Sequence, residues 1–160
     1  MANHLYNTFS LVLIVCFMSS CLATILRDCG SDNGRLNSLT VPGCTFNDDE
    51  DKCVLVKGET ASMTADFQTY NQTAKADVKI WGILMRTVKV PFSIASDACT
   101  NWGVKCPIEA NSVSTMTISL PVKNEYPSIP VDIEISLMDD ENKSIFCVKF
   151  AAVLKPKSKA

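Results

Sequence analysis

The side chains that could support catalysis or bind a catalytic metal are few in this chain of 160 residues. Its only histidine is His4, which precedes an apolar run near the amino terminus. A chain without a later histidine lacks the usual general base, the Ser-His-Asp and Cys-His arrangements and most catalytic metal sites. No glycine-rich phosphate loop follows a predicted strand. We therefore predict that the protein is not an enzyme and that it uses no cofactor.

Carboxylates at close spacing occur in two stretches, Asn47–Asp51 and Asp139–Asp140. Closely spaced carboxylates suit calcium, but the first stretch lacks the glycine and the distal glutamate of an EF-hand loop, so a solvated loop is favoured over a cation site. Both stretches lie on predicted turns, whereas a glycosidase needs two carboxylates held across a cleft. We predict neither a metal site nor a hydrolytic pair in these stretches.

The cysteines are the remaining reactive side chains, and there are eight of them. Cys16 and Cys21 belong to the amino-terminal apolar region, which leaves six, an even number that allows fifteen pairings and indicates a disulfide framework. A zinc site is the alternative, and it is disfavoured because no Cys-x-x-Cys pair and no later histidine are present. Close spacing favours two local disulfides and leaves the first and last cysteines to each other; the predicted pairs are Cys44–Cys53, Cys99–Cys106 and Cys29–Cys147.

Residues 1–23 are predicted to form a secretory signal peptide. Leu11–Met18 is an apolar run too short to span a bilayer, and the small residues Cys21 and Ala23 suit cleavage after Ala23. Residues 24–160 then form a single domain of ordinary size. The formal net charge of −2 gives no reason to expect nucleic acid as a partner. We expect a secreted, extracellular monomer, with the lysosomal lumen as the alternative destination.

Two asparagines lie in glycosylation sequons at predicted turns. They are Asn71, followed by Gln and Thr, and Asn142, followed by Lys and Ser. A sequon in a secreted chain accepts a glycan only where the backbone is exposed, and turns meet that condition. We therefore predict N-glycans at both positions.

The elements that position these groups are predicted to be strands throughout. No segment keeps a helical period, while about seven runs alternate apolar and polar residues between turn signals, as in an all-β sandwich. The runs 62–68, 76–80, 112–120, 131–137 and 144–154 each present one apolar face. The inward residues that we expect to face a ligand are Phe67, Val78, Ile80, Met116, Ile118, Val131, Ile133, Ile135 and Val148.

The loop Leu120–Pro130 departs from this alternation. It contains three prolines, which cannot donate to a sheet ladder, so it is not a central strand. Its apolar side chains Val122, Tyr126 and Ile129 must still be kept from water. Two interpretations remain open from the residues alone: these side chains line the mouth of an apolar cavity between two sheets, or they plug the end of a filled core.

Several motifs resemble those of the ML lipid-recognition domains, and most of all the Niemann-Pick type C2 branch of that family. They are the cysteine framework, Asp28–Ser31, Val90–Phe92, Cys106–Ile108 and above all Leu120–Ile129. The resemblance covers nearly all of the chain from Asp28 to Leu154. It implies an immunoglobulin-like β-sandwich with the same three disulfides, whose two sheets hold one lipid in an interior cavity. It therefore favours the cavity mouth over the plugged core.

The resemblance also implies particular ligand-binding residues and partners. Phe92 and Tyr126 would form a gate, and the expected ligand is a small hydrophobic molecule, either a sterol or a fatty acid. A carrier of this kind is also expected to make transient contact with a membrane or a membrane receptor. The pocket residues carried over by motif are Phe92, Val122, Tyr126, Pro127, Ile129 and Val131.

Three positions depart from the pattern of many vertebrate members. Ile135 and Val148 stand where those members have tryptophan, and Trp81 stands where they have histidine. The loss of two large rings reshapes the cavity and removes flat surfaces suited to a sterol, so fatty acids stand beside sterols as expected ligands. The alternative function is extracellular recognition of a bacterial lipid such as lipopolysaccharide. That function needs basic groups at a wide mouth, and Lys123 alone is found near it.

Overall fold

The computed structural model describes residues 26–46 and 52–157. The predicted signal peptide and the acidic stretch 47–51 lie outside these residues. Within them, ten strands and one short helix occur, and no helix has the length and apolarity needed to cross a membrane. The elements are β1 Arg27–Asp28, β2 Gly34–Thr40, β3 Cys44–Thr45, β4 Lys52–Val56, β5 Thr60–Thr69, β6 Asp77–Leu84, β7 Val88–Pro91, α1 Ala98–Asn101, β8 Val113–Pro121, β9 Pro130–Met138 and β10 Ser144–Lys155.

The strands form two sheets, which confirms the predicted all-β sandwich. The larger sheet has the order β3-β4-β10-β9-β6-β7, with β1 paired to β10, and the smaller has the order β2-β5-β8. Seven strands contain five or more residues, in agreement with the expected number of about seven. The strand β7 lies at the edge of its sheet. Proline lacks a backbone N–H donor, and Pro91 is tolerated there because an edge strand has a neighbour on one side only.

The core fills the space between the sheets, because the two-residue period of each strand sends alternate side chains inward. On the smaller sheet Met63 is paired with Ile118, and Ala65 is paired with Met116. Phe67 on β5 and Phe146 on β10 meet across the gap, with their ring centroids 5.6 Å apart. All the residues expected to face inward from the strands are buried.

Three disulfides fasten the sandwich, and they join the same three pairs that the spacing favours. Two close the short loops Cys44–Cys53 and Cys99–Cys106, and Cys29–Cys147 links residues 118 positions apart in the chain. The short helix α1 contains Cys99, the first residue of one of these loops. It begins after Asp97, whose carboxylate accepts hydrogen bonds from two backbone N–H groups. Four residues are too few to show a helical period, so the sequence did not reveal this helix.

The two ends of the sandwich differ in character. At one end Asn71 donates a hydrogen bond of 2.7 Å to Asn33, and Asn33 donates one of 2.7 Å to Asp139 in the β9–β10 hairpin. Both sequon asparagines, Asn71 and Asn142, are exposed at this end. The loop 122–129 and the tip of the β6–β7 hairpin lie at the opposite end, since β9 begins at Pro130 and pairs there with the last residues of β6. The glycans remain a prediction, and this geometry would direct them away from that loop.

The outer face of β9 is more buried than its polar residues indicate. The sequence predicts Glu134 as an outward, polar residue, yet its side chain is only 9% exposed. The reason is its central position: lysines from strands on both sides reach over it. Lys89 Nζ lies 3.0 Å from both carboxylate oxygens, and Lys149 Nζ lies 3.0 Å from Oε2. Burial raises the pKa of Glu134, but hydrogen bonds and charge from the two lysines outweigh it and hold that pKa below its usual value.

This arrangement predicts a pH-dependent contribution to stability. A carboxylate whose pKa is lowered in the folded state stabilises the protein above its unfolded pKa, near 4.5, and this contribution is lost as the pH falls through the lower, folded pKa. Glu134→Gln should therefore lower the free energy of unfolding by about 1 kcal/mol at about pH 7. Urea unfolding from about pH 7 down to about pH 3 should show this difference shrinking in acid. Glu141→Gln is the control, because its pair with Lys143 is exposed and should contribute little. An equal effect of both variants would contradict the prediction.

Candidate functional site

A cavity of about 320 Å³ opens at the end of the sandwich formed by the loop 122–129 and the β6–β7 hairpin. Its volume lies near the lower limit of the range typical of small-molecule sites. Ser93 and Lys123 supply its polar groups. The rest of the lining is apolar or aromatic: Gly82, Leu84, Val90, Pro91, Phe92, Tyr126, Pro127, Val131 and Leu154.

Two aromatic rings meet at the mouth of this cavity. Phe92 and Tyr126 pack edge to face, with centroids 5.6 Å apart and planes at 85°. Such a pair contributes about 0.5–1.5 kcal/mol beyond its buried area. The backbone of Phe92 is fixed to the sheet by a hydrogen bond of 2.9 Å from its N–H to the carbonyl of Ile80. The contact between the two rings is therefore weak, whereas the backbone of Phe92 is held by the sheet.

The loop that carries Tyr126 is fastened firmly at its start and lightly beyond it. Gly58 N–H donates to the carbonyl of Val122 at 2.6 Å, and Val122 N–H donates to that of Glu59 at 2.9 Å. From residue 123 to 128, one hydrogen bond to a distant residue occurs within the described chain: Lys57 Nζ donates to the carbonyl of Tyr126 at 3.1 Å. Prolines reduce the number of donors in this loop. The segment is therefore suited to movement between fixed ends.

A glycine forms the floor beneath the Phe92 ring. A Cβ atom at Gly82 would lie 3.3 Å from Phe92 Cε2 and 3.5 Å from Val131 Cγ2. The first distance is tighter than ordinary van der Waals contact, so the ring occupies the place of the missing side chain. Gly82 thereby lets the ring lie against β6 and keeps the cavity open beside it.

The structure brings only part of the predicted ligand-binding set to this cavity. Phe92, Tyr126, Pro127 and Val131 line it. Ile129 instead lines a groove of about 430 Å³ outside the sandwich. The others are buried in the core and are not among the residues that line this cavity: Phe67, Val78, Ile80, Met116, Ile118, Val122, Ile133, Ile135 and Val148. Ligand contact by all of these residues stays a prediction.

Sequence reasoning missed several of the lining residues. Leu154 follows Phe150 and Ala152 on the inward face of β10, so the alternation of that strand contained the signal for it. Gly82 carried no such signal, because its importance comes from the ring that lies against it. Ile133 is paired with Gly82 and follows Val131 on the same face of β9, so the core continues directly behind the cavity.

Comparison with known proteins places the chain among lipid-binding domains. A family model described as the ML domain matches residues 23–154. The bovine NPC intracellular cholesterol transporter 2 is 38% identical over 122 residues, which are 76% of this chain and 78% of that protein. The Drosophila melanogaster NPC intracellular cholesterol transporter 2 homolog a is 30% identical over 129 residues, or 80% of this chain and 85% of that protein.

Solved structures agree with the family match. A Niemann-Pick type C2 protein from the Japanese carpenter ant superposes with a TM-score of 0.75 at 25% identity, covering 82% of this chain and 99% of that one. Chicken MD-1 complexed with lipid IVa shares the fold, with a TM-score of 0.51 at 14% identity over 79% of this chain and 85% of that one. The two sheets, the largely apolar cavity and a family model that spans most of the sequence lead to one conclusion: this chain belongs to the ML-domain family.

Proposed function

We propose that this protein is a non-enzymatic carrier that binds one small hydrophobic molecule, a sterol or a fatty acid, and transfers it between membranes or proteins. The observation that carries the proposal is the apolar cavity of about 320 Å³ beneath the Phe92–Tyr126 pair. The names of the relatives, which are cholesterol transporters, support the same class of ligand.

The hydrophobic effect supplies the binding energy. A ligand that moves about 300 Å² of apolar surface out of water gains about 7 kcal/mol before the costs of association. Phe92 and Tyr126 turn aside to admit it and close over it afterwards. A ligand larger than the cavity displaces aliphatic residues of the core behind it, beginning with Ile133 beside Gly82.

The proposed route is secretion into an extracellular fluid, with the lysosomal lumen as the alternative destination. It rests on the predicted signal peptide at 1–23 and on the two sequons. Because Asn71 and Asn142 lie at the end opposite the cavity, glycans there would leave the mouth free to meet a membrane or a receptor. We also propose that the carrier acts as a monomer.

Native mass spectrometry of the secreted protein with added oleate and with added cholesterol tests the carrier function. We expect a complex of one ligand per protein with at least one of the two lipids. If neither lipid adds mass under conditions that keep the fold intact, the carrier proposal is wrong.

The hairpin beside the mouth predicts where the carrier meets a membrane. Met85 at the tip of the β6–β7 hairpin is 84% exposed, and Val88 is 51% exposed. Exposed apolar side chains at one end of a protein are typical of a membrane-contact surface. Replacing both residues by aspartate should slow transfer of a fluorescent fatty acid to phospholipid vesicles about tenfold, because two charges must then approach the bilayer. Ligand affinity should not change.

Val113→Asp is the matched control for the hairpin variant. Val113 is 65% exposed but lies at the opposite end, where β8 begins beside the end of β5. Its replacement should leave the transfer rate unchanged. Equal slowing by the hairpin variant and the control would exclude this hairpin as the contact surface.

A further inference from the structure

One lysine lines the largely apolar cavity, and a second contacts the loop segment that carries Tyr126. Lys123 lines the cavity directly, and its neighbour Val122 is held by the hydrogen bonds to Gly58 and Glu59. The base of the Lys123 side chain is thus fixed in position, and the residue is exposed to solvent. Within the described residues, Lys123 forms no ion pair.

Lys57 is the less ordinary of the two, because it is half-buried. Its backbone N–H donates to the carbonyl of Lys155 at 2.8 Å, and its Nζ lies 3.1 Å from the carbonyl oxygen of Tyr126. An ammonium group has three donors, and a half-buried lysine is normally compensated by a negative charge. In the part of the chain that the structure describes, the acceptor of Lys57 is a neutral carbonyl and no carboxylate is paired with it.

The acidic residues nearby do not supply that charge. Glu59, in the same turn as Lys57, is paired with Lys157 at 3.1 Å. Glu125, beside Tyr126, is exposed and forms no ion pair with a described residue. No carboxylate is found among the described residues that line the cavity. The mouth therefore presents positive charge above an apolar interior.

We propose that Lys57 and Lys123 make the cavity selective for amphiphiles with a negatively charged head, a carboxylate above all. This inference rests on the proposed carrier function and names its ligand class. The apolar chain enters the cavity, and the head stays at the mouth because the interior offers nothing to compensate its charge. There the head accepts hydrogen bonds from the two ammonium groups.

The position of Lys57 also couples head binding to the gate. In this structure one N–H of the Lys57 ammonium group donates to the carbonyl of Tyr126. When the Tyr126 segment moves aside to admit a ligand, that donor loses its acceptor. A carboxylate head replaces the carbonyl, and it is the stronger acceptor because it is charged. A neutral ester or a sterol hydroxyl gains much less from the exchange.

Matched ligands with one chain and two heads test this selectivity. Oleate and methyl oleate compete against a neutral fluorescent probe for the intact secreted protein, its Lys57→Met and Lys123→Met variants, and a Lys79→Met control. Lys79 is an exposed lysine on the outer face of the larger sheet. The wild type should bind oleate about tenfold more tightly than methyl oleate, because hydrogen bonds to a charged group contribute a binding free energy of that size. Each mouth variant should reduce this preference to about threefold or less and leave methyl oleate within about twofold of its wild-type affinity. The control should keep the full preference.

The outcomes separate this inference from the carrier function. If the wild type binds both ligands equally, the selectivity is disproved. If both mouth variants keep the tenfold preference, Lys57 and Lys123 do not cause it. In either case this inference is wrong and the carrier function stands. A Lys57 variant that weakens both ligands alike has lost the gate structure, which would assign Lys57 a structural role; Lys123→Met, a change of an exposed side chain, then decides the proposal. If no protein binds oleate, methyl oleate or cholesterol, the carrier function itself has failed.

Discussion

Replacing Gly82 by valine is expected to weaken the binding of oleate or cholesterol about 100-fold. The new Cβ would lie 3.3 Å from the Phe92 ring, and the two methyl groups beyond it would occupy space that the ring now holds. The ring must then move into the cavity of about 320 Å³. Losing about 100 Å² of ligand burial corresponds to about 3 kcal/mol, which is about a 100-fold change in the dissociation constant. Titration of a fluorescent fatty acid measures it.

A matched variant separates filling of the cavity from damage to the sheet. Ala151→Val adds the same two methyl groups on the exposed outer face of β10, which belongs to the same sheet, and it should bind ligand normally. Val131→Phe fills the cavity from the neighbouring strand β9 and should reproduce the loss. Valine also suits a strand, so the Gly82 variant should keep its fold. Wild-type affinity in a folded Gly82→Val protein would show that ligands bind elsewhere.

Removing the Cys29–Cys147 disulfide is expected to lower the free energy of unfolding by about 4–5 kcal/mol. The bond closes a loop of 118 residues, and in the chain-entropy model a cross-link of that length restricts the unfolded chain most strongly. It also fastens β1, which has only two residues, to β10. Urea unfolding of a Cys29→Ala/Cys147→Ala double variant measures the loss, since replacing both cysteines leaves no unpaired thiol.

The control is the same double replacement at Cys99 and Cys106. That loop spans only seven residues, so its loss should cost about 2–3 kcal/mol in the same model. An equal effect of the two double variants would contradict the entropic explanation. It would indicate that local contacts around each bond, and not the length of the loop, determine the stabilisation.

The strands and disulfides could be predicted from the sequence. The strands follow from the alternation of neighbouring residues, and the disulfides follow from the number and spacing of the cysteines. Met116, Ile118 and Leu120 alternate with hydroxyl residues, and the two faces of β8 differ in burial accordingly. Six cysteines with two close spacings leave few sensible pairings. The prolines of the loop Leu120–Pro130 excluded a central strand, and residues 122–129 of it join β8 to β9 at the end where the cavity opens.

The residues that line the cavity were harder to predict from the sequence, because they depend on which strands lie side by side. Gly82 is important only because the Phe92 ring lies against it, and Lys57 only because its side chain reaches a carbonyl 69 positions away. The burial of Glu134 follows from the central place of β9 between β6 and β10, which an alternating pattern does not reveal. Predicted core residues such as Phe67 and Ile135 proved to be buried without lining the cavity, since alternation distinguishes inside from outside but does not locate a void.

The sequence by itself determined the inward and outward faces of the strands, the disulfide pairs and the irregular loop, because each depends on neighbouring residues or on simple counting. The tertiary structure alone decided where a cavity is left beside the larger sheet, which lysine lines it and which end the sequons occupy. Those features arise from distances between strands that are far apart in the chain, and such distances are fixed only when the two sheets pack together.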